Sequence, residues 1–285
     1  GAEVLRSAPL PFAGVLPEGK YKLVQEFQKS GYTVGMCGDG ANDAPALRQA
    51  QMGIAVSTAT DVAKSAAGIV LTKPGLEGVV ASVKEGRVTF QRILTYALNS
   101  VTKKTVQVLF LAVGLVITGQ AILTPMLMVI IMLTGDLLGM SLTTDNVRPS
   151  PAPNVWRIGS LTTAGVFMGI SELVFCTAVL AVSKFNLGFG IDGLRTMAFV
   201  AVVFGNQATT YTNRERQRMG SAAPSLWLVG SSVVDLLIAS ILATRGIAMA
   251  SVPISDVGAA LGAAAIFAFL VDLVKVPVFR RLKIA

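Results

Sequence analysis

The residues best suited to chemistry lie in one short run, Gly38-Asp39-Gly40-Ala41-Asn42-Asp43-Ala44-Pro45. Two carboxylates and an amide on a tight turn make an oxygen-rich site suited to Mg²⁺, with Asp39 and Asp43 as its acidic ligands. Gly38 and Gly40 allow close backbone approach to a bound group and permit unusual φ values. An acidic surface turn would account for a single Asp-Gly, but not for the whole run between a strand and a helix. A second chemically loaded residue, Asp136, lies inside the apolar stretch Met132-Leu133-Thr134-Gly135-Asp136-Leu137-Leu138-Gly139. An ionisable group at such a place is costly and marks function, and the flanking glycines can loosen the helix. Glu172 and Asp235 occupy similar places and are expected to face the interior of a helix bundle. Asn206 and Gln207 are expected to bridge helices, and Asp272 beside Lys275 to form a local pair near the cytoplasmic boundary.

The elements that position these residues follow from periodicity. Tyr21, Leu23, Val24 and Phe27 recur at helical spacing between Pro17 and Ser30, and Gly31 supplies a stop. A β-like run, Tyr32 to Met36, leads into the acidic loop. Strand-like runs at Met52–Val56 and Gly68–Thr72 follow, with a helix over about Thr60–Ala67 between them. This alternation predicts a parallel sheet covered by helices, and the acidic loop lies at the carboxyl end of a strand, where such sheets place their chemistry. Residues 1–75 therefore read as an α/β module. From Leu76 to about Thr118 the sequence has no proline, and one continuous helix there would reach about 63 Å. Its first part, 76–96, reads as a stalk and the rest as a membrane span.

Composition separates the two halves. The chain has 285 residues, no histidine, a net charge of +8 and a hydrophobic fraction of 53%. Its mean hydropathy of +0.65 is too apolar for an ordinary soluble protein. Six spans are predicted within 97–285, at about 97–118, 123–143, 160–182, 196–212, 226–244 and 257–275, each close to the length that crosses a bilayer. With the α/β module cytoplasmic, the inner loops hold Arg148 and Arg157, then Arg214, Arg216 and Arg218. The tail holds Lys275, Arg280, Arg281 and Lys283. The outer loops hold only Lys184, Arg195 and Arg245. This bias places both ends in the cytoplasm and argues against nucleic acid as the partner of the positive charge. Cys37 and Cys176 form no metal-ligand pattern and read as small buried side chains.

Met36-Cys37-Gly38-Asp39-Gly40-Ala41-Asn42-Asp43-Ala44-Pro45-Ala46-Leu47 resembles the hinge motif of P-type ATPases, within the haloacid-dehalogenase-like superfamily. Phe12-Ala13-Gly14-Val15-Leu16-Pro17-Glu18-Gly19-Lys20 resembles the segment that ends in that family's phosphate-site lysine. Ala59-Thr60-Asp61-Val62-Ala63 and Ile69-Val70-Leu71-Thr72 fit as well, and the similarity covers most of residues 12–157. The resemblance implies a partial Rossmann-like domain followed by an all-α membrane bundle of six helices. It gives Lys20 the neutralisation of an acyl-phosphate, Asp39 the ligation of Mg²⁺ and Asn42 contact with the phosphoryl oxygens. Asp43 would hold Lys20 and the loop, and ATP would be the substrate of the complete enzyme. Phosphoryl transfer depends on positioning and charge neutralisation, which a lysine and Mg²⁺ supply.

Counting back from Asp145-Asn146-Val147-Arg148-Pro149-Ser150-Pro151, Asp136 is similar in place to the membrane carboxylate of plasma-membrane proton pumps. Outward proton export across the cytoplasmic membrane is the implied activity. Two positions depart from that subfamily: Gly135 stands where proton pumps have asparagine, and Val106 where they have a stalk-span arginine. Lys103 and Lys104, about one turn earlier, offer a substitute counter-charge for Asp136; the alternative is that they line a polar bundle face or snorkel. The sequence holds no Asp-Lys-Thr-Gly-Thr segment, no Thr-Gly-Glu actuator element, no nucleotide domain and no Walker loop. The expectation is half an active site, inactive alone, with an N-terminal half supplied in cis or in trans. Alternatives are a magnesium or other cation pump, or a truncated non-catalytic membrane subunit.

Overall fold

The computed structural model describes residues 14–151, 153–282 and 284. Phe12 and Ala13 of the segment leading to Lys20, and Lys283 of the basic tail, lie outside the described residues. The chain divides into two compact units, Gly1–Glu85 and Gly86–Ala285.

The first unit opens with α1 (Pro17–Lys29), which has proline in its first turn and is ended by Gly31 at φ +86. Strand β1 (Gly35–Gly38), helix α2 (Ala44–Gln49), β2 (Met52–Ala55), α3 (Asp61–Ala66) and β3 (Ile69–Val70) follow. The strands form one parallel sheet in the order β1-β2-β3, with Gly38 beside Ala55 and Ala55 beside Val70. Leu47, Ala55, Ala59 and Ala63 close a small core. The acidic loop leaves the carboxyl end of β1 through a 3-10 turn at Ala41–Asp43. The strand starts later than the apolar run predicts: Tyr32 donates back to the Phe27 carbonyl at the end of α1, and Val34 meets β2 only through its carbonyl, which accepts the Met52 N–H at 3.3 Å. Gly53 is obligatory for packing: a Cβ there would sit 2.4 Å from the Leu47 carbonyl oxygen. Cys37 is exposed, contrary to expectation, because alternate positions of β1 face outward.

Helix α4 (Glu77–Thr118) runs unbroken for 42 residues, and the division between the units falls inside it. The second unit continues with α5 (Pro125–Ser141), α6 (Ile158–Phe185), α7 (Ile191–Asn213), α8 (Leu226–Arg245) and α9 (Ile254–Arg281). Among the described residues, five helices are long and apolar enough to cross a membrane: α4, α5, α6, α8 and α9. Their outer faces expose Val116, Leu133, Val174, Leu237, Ile241 and Phe269, a surface that water would not tolerate and lipid would solvate. The chain is a multi-pass membrane protein. Helix α7 differs. Nearly every residue from Leu194 to Asn213 is buried, enclosed by α5, α6, α8 and α9. A helix covered by protein needs no apolar exterior, so its later turns carry Asn206, Gln207, Thr209, Thr210, Thr212 and Asn213.

Two devices set how these helices pack. Gly165 and Gly169 of α6 form a small-xxx-small pair pressed against α4. A Cβ on either would come 2.6 Å from Val101 or Thr105. The Thr102 hydroxyl crosses this seam to donate to the Gly165 carbonyl at 3.3 Å. The second device is ionic. Arg214, just past α7, grips Asp145 through Nε at 2.8 Å and Nη2 at 3.3 Å, with side chains only 1% and 2% exposed. Asp145 also accepts the Ser225 N–H at the start of α8, and its carbonyl accepts Arg92 of α4. Arg214 donates further to the carbonyls of Ala222, Ala223 and Asn146. Arg214, counted in the sequence among orientation-setting charges, is thus a buried cross-link.

Removing one partner of such a pair strands the other charge without water, at a cost of about 3–5 kcal/mol. Arg214→Ala and Asp145→Ala should therefore each lower the melting temperature of the detergent-solubilised chain sharply, by similar amounts. Equal melting of wild type and both variants would contradict this role.

Candidate functional site

In the first unit, Lys20 and Asp43 meet from elements 23 residues apart. Lys20, in the second turn of α1, donates from Nζ to Asp43 Oδ1 at 2.7 Å. Asp43 Oδ2 accepts the backbone N–H groups of Asp39 at 3.2 Å and Gly40 at 3.3 Å. Both carboxylate oxygens are therefore engaged, and the residue is 4% exposed. Burial raises the Asp43 carboxyl. The Lys20 hydrogen bond, the two backbone N–H groups and the Lys20 charge outweigh it and hold the group below the usual carboxylate range. Gly38 has a local reason to lack a side chain, since a Cβ would lie 2.7 Å from the Asp43 Cβ. Neither Gly38 nor Gly40 adopts a positive φ; what they supply is space and an N–H donor, not unusual dihedrals.

Asp39 and Asn42 are exposed, and neither side chain has a hydrogen bond or ion pair among the described residues. Asp39 therefore presents a free carboxylate at the carboxyl end of β1, beside the fixed Lys20–Asp43 pair. Mg²⁺ is commonly held by one or two carboxylates together with water and phosphate oxygens, so this donor set fits the ion. No group of three histidine, cysteine, aspartate or glutamate residues forms among the described residues.

In the second unit, Asp136 lines a cleft of about 230 Å³ with Tyr96, Asn99, Lys103, Lys104 and Asn206. Asp136 is exposed on α5 and makes no ion pair within 4 Å among the described residues. Lys103 donates to the Gly135 carbonyl at 3.0 Å rather than to the Asp136 carboxylate. A Cβ at Gly135 would lie 3.4 Å from that ammonium. Lys104 is exposed at the cleft wall. Glu172, Asp136 and Asp235 are the carboxylates whose charges act on Lys103. Glu172 and Asp235 are 0% and 4% exposed. Thr209 of α7 donates to Glu172 Oε2 at 2.8 Å, and Gln207 donates to Asp235 Oδ2. The Asp272–Lys275 pair forms at 2.6 Å within α9, and Asp272 also accepts the Met219 N–H from the loop before α8.

Sequence reasoning missed the Asp145–Arg214 link and the glycine seam. The seam has a readable signal in Gly165-x-x-x-Gly169, whereas the ion pair joins residues 69 apart with no local pattern.

Comparison with known proteins agrees with this division. Residues 18–82 match the haloacid dehalogenase-like hydrolase family. The chain therefore carries a haloacid-dehalogenase-like α/β domain joined to a multi-span helical bundle. Over 242 residues it is 34% identical to a protein of Methanocaldococcus jannaschii described as a candidate cation-transporting ATPase. That alignment takes in 85% of this chain but only 30% of the relative's length, and it extends through the membrane helices.

The depressed Asp43 value fixes a pH dependence. Its contribution to folding is complete above the ordinary carboxylate value of 3.8 and is lost as pH falls through the lower folded value. Protection factors across residues 35–56, corrected for the intrinsic exchange rate at each pH, should fall on acidification in wild type, and less steeply in Asp43→Asn. Identical acid profiles would contradict the linkage.

Proposed function

We propose that this chain is the C-terminal part of a P-type cation-transporting ATPase, with proton export as its activity. The observation that carries the reading is a phosphate-type loop with a free Asp39 carboxylate in the same chain as an intramembrane carboxylate, Asp136, in a lysine-lined cleft. The similarity to the archaeal relative extends over both parts.

In this reading Lys20 neutralises phosphoryl oxygens, Asn42 donates to them from the exposed turn, and Asp43 positions Lys20 and the loop. Mg²⁺ held at Asp39 would supply electrostatic neutralisation of the transferring phosphoryl group. The remaining parts, including the aspartate to be phosphorylated and the nucleotide site, come from sequence outside this chain, in cis or in trans. Helix α4, shared by the two units, is the covalent route between phosphate chemistry and the lysine-bearing turns. An ammonium beside Asp136 opposes a divalent cation at the same place and suits a proton, which needs a single oxygen. Six spans, α4 to α9, with the α/β unit and the C-terminus in the cytoplasm complete the proposal.

The test is phosphoenzyme formation from ATP by the complete protein. Asp39→Asn should reduce it by two orders of magnitude or more, the scale of losing a principal electrostatic contact. Asp136→Asn should form phosphoenzyme at close to the wild-type level. Undiminished phosphorylation in Asp39→Asn would overturn the assignment of the loop.

A further inference from the structure

One turn of α7, Gly205 to Thr209, organises a charged layer inside the bundle. Lys103 of α4 and Asp136 of α5 line the open cleft, while Glu172 of α6 and Asp235 of α8 are buried against this turn. With all four ionised the layer carries two more negative charges than positive, and Lys104 at the cleft wall does not make up the difference. Within hydrocarbon such an excess is costly.

The hydrogen-bond inventory repeats the imbalance. Among the described residues, four buried acceptor oxygens around this turn have no hydrogen-bond partner, Glu172 Oε1, Asn206 Oδ1, Gln207 Oε1 and Asp235 Oδ1, against one donor of the adjoining cleft, Asn99 Nδ2. Glu172 is the most completely enclosed, at 0% exposure. Its Oε1 points toward α7 at Gly205, where a Cβ would lie only 3.1 Å away. The glycine leaves the room that the oxygen faces.

We infer that Glu172 Oε1 is a second cation-binding position, separate from Asp136, for a proton or a small monovalent cation. A proton taken from water would form an O–H bond on Oε1 and leave Thr209 donating to Oε2. An alkali ion would instead be held by the Glu172 carboxylate and the Thr209 hydroxyl oxygen 2.8 Å from it. Among the described residues, Lys103 is the basic side chain whose charge acts on Glu172. On α6 itself, Cys176 lies within the electrostatic reach of Glu172. Helix α7 presents the Thr209 hydroxyl, and the charged groups of α9 are Asp256 at its start, the Asp272–Lys275 pair, Arg280 and Arg281. The inference rests on reading the bundle as an ion path, but its readout does not require transport.

The experiment is infrared difference spectroscopy of the chain in lipid vesicles, in H₂O and D₂O, with thermal melting in NaCl, KCl or N-methylglucamine chloride. If a proton occupies the site, wild type shows a deuterium-sensitive carboxylic acid band that Glu172→Gln loses and Asp136→Asn retains. If an alkali ion occupies it, that band is absent and Na⁺ or K⁺ raises the melting temperature of wild type but not of Glu172→Gln. Should Glu172→Gln fail to fold, Thr209→Val keeps the carboxyl group and must shift the band or weaken the salt response. The inference is overturned if the substitution leaves both signals unchanged, or if wild type shows neither. Failure of the P-type reading would show as absent ATP-dependent phosphoenzyme, and would leave the Glu172 signal in place.

Discussion

The buried contact between Arg214 and Asp145 ties four helices of the second unit together. Through one carboxylate and one backbone carbonyl, Asp145 fastens Arg92 of α4, the end of α7 and the first turn of α8 to the end of α5. Those four helices carry Lys103, Asp136, Asn206 and Asp235. A helix bundle in lipid gains little from apolar contact between its members, because lipid tails are equally apolar. Register must come from polar contacts and close packing. A bidentate arginine–carboxylate pair suits this use, since its planar geometry tolerates little sliding.

The same logic explains α7. It is the most buried helix of the bundle, and among the described residues it alone of α4 to α9 falls short of the apolarity expected of a span. Its neighbours take the lipid-facing role, which frees it to present amides and hydroxyls to the carboxylates around it. The glycine seam of α6 adds a second constraint by bringing α4 close enough for Thr102 to reach across. Polar centre, apolar exterior and small-residue seam are consequences of one requirement, that several ionisable groups be kept inside a membrane.

Much of this was legible in the sequence where the signal was local. The acidic run after a strand, the stop at Gly31 and the long proline-free helix all depend on neighbours in the chain, and a parallel sheet with its helices forms in the expected order, with β1 displaced to Gly35–Gly38 and β3 reduced to Ile69–Val70. The Lys20–Asp43 contact became visible only through family resemblance, because nothing in the intervening residues encodes their approach. Arg214 and Asp145 looked like a topology charge and a motif landmark; their burial depends on how α7 and α8 close over the α5 terminus. The sequence leaves Lys103 either as a counter-charge for Asp136 or on a polar bundle face; its hydrogen bond goes to the Gly135 carbonyl, and Asp136 and Glu172 both act on its charge. Periodicity identifies the faces of a helix but not which neighbouring helix each face meets.

The account stands on coupling between the phosphate-type loop and the intramembrane layer. Its most direct test is ATP-driven acidification of sealed vesicles bearing the complete protein, followed with a pH-sensitive dye trapped inside. Wild type should acidify the lumen when ATP is added to the cytoplasmic face, and Asp136→Asn should abolish the signal. Undiminished acidification by Asp136→Asn would contradict the account.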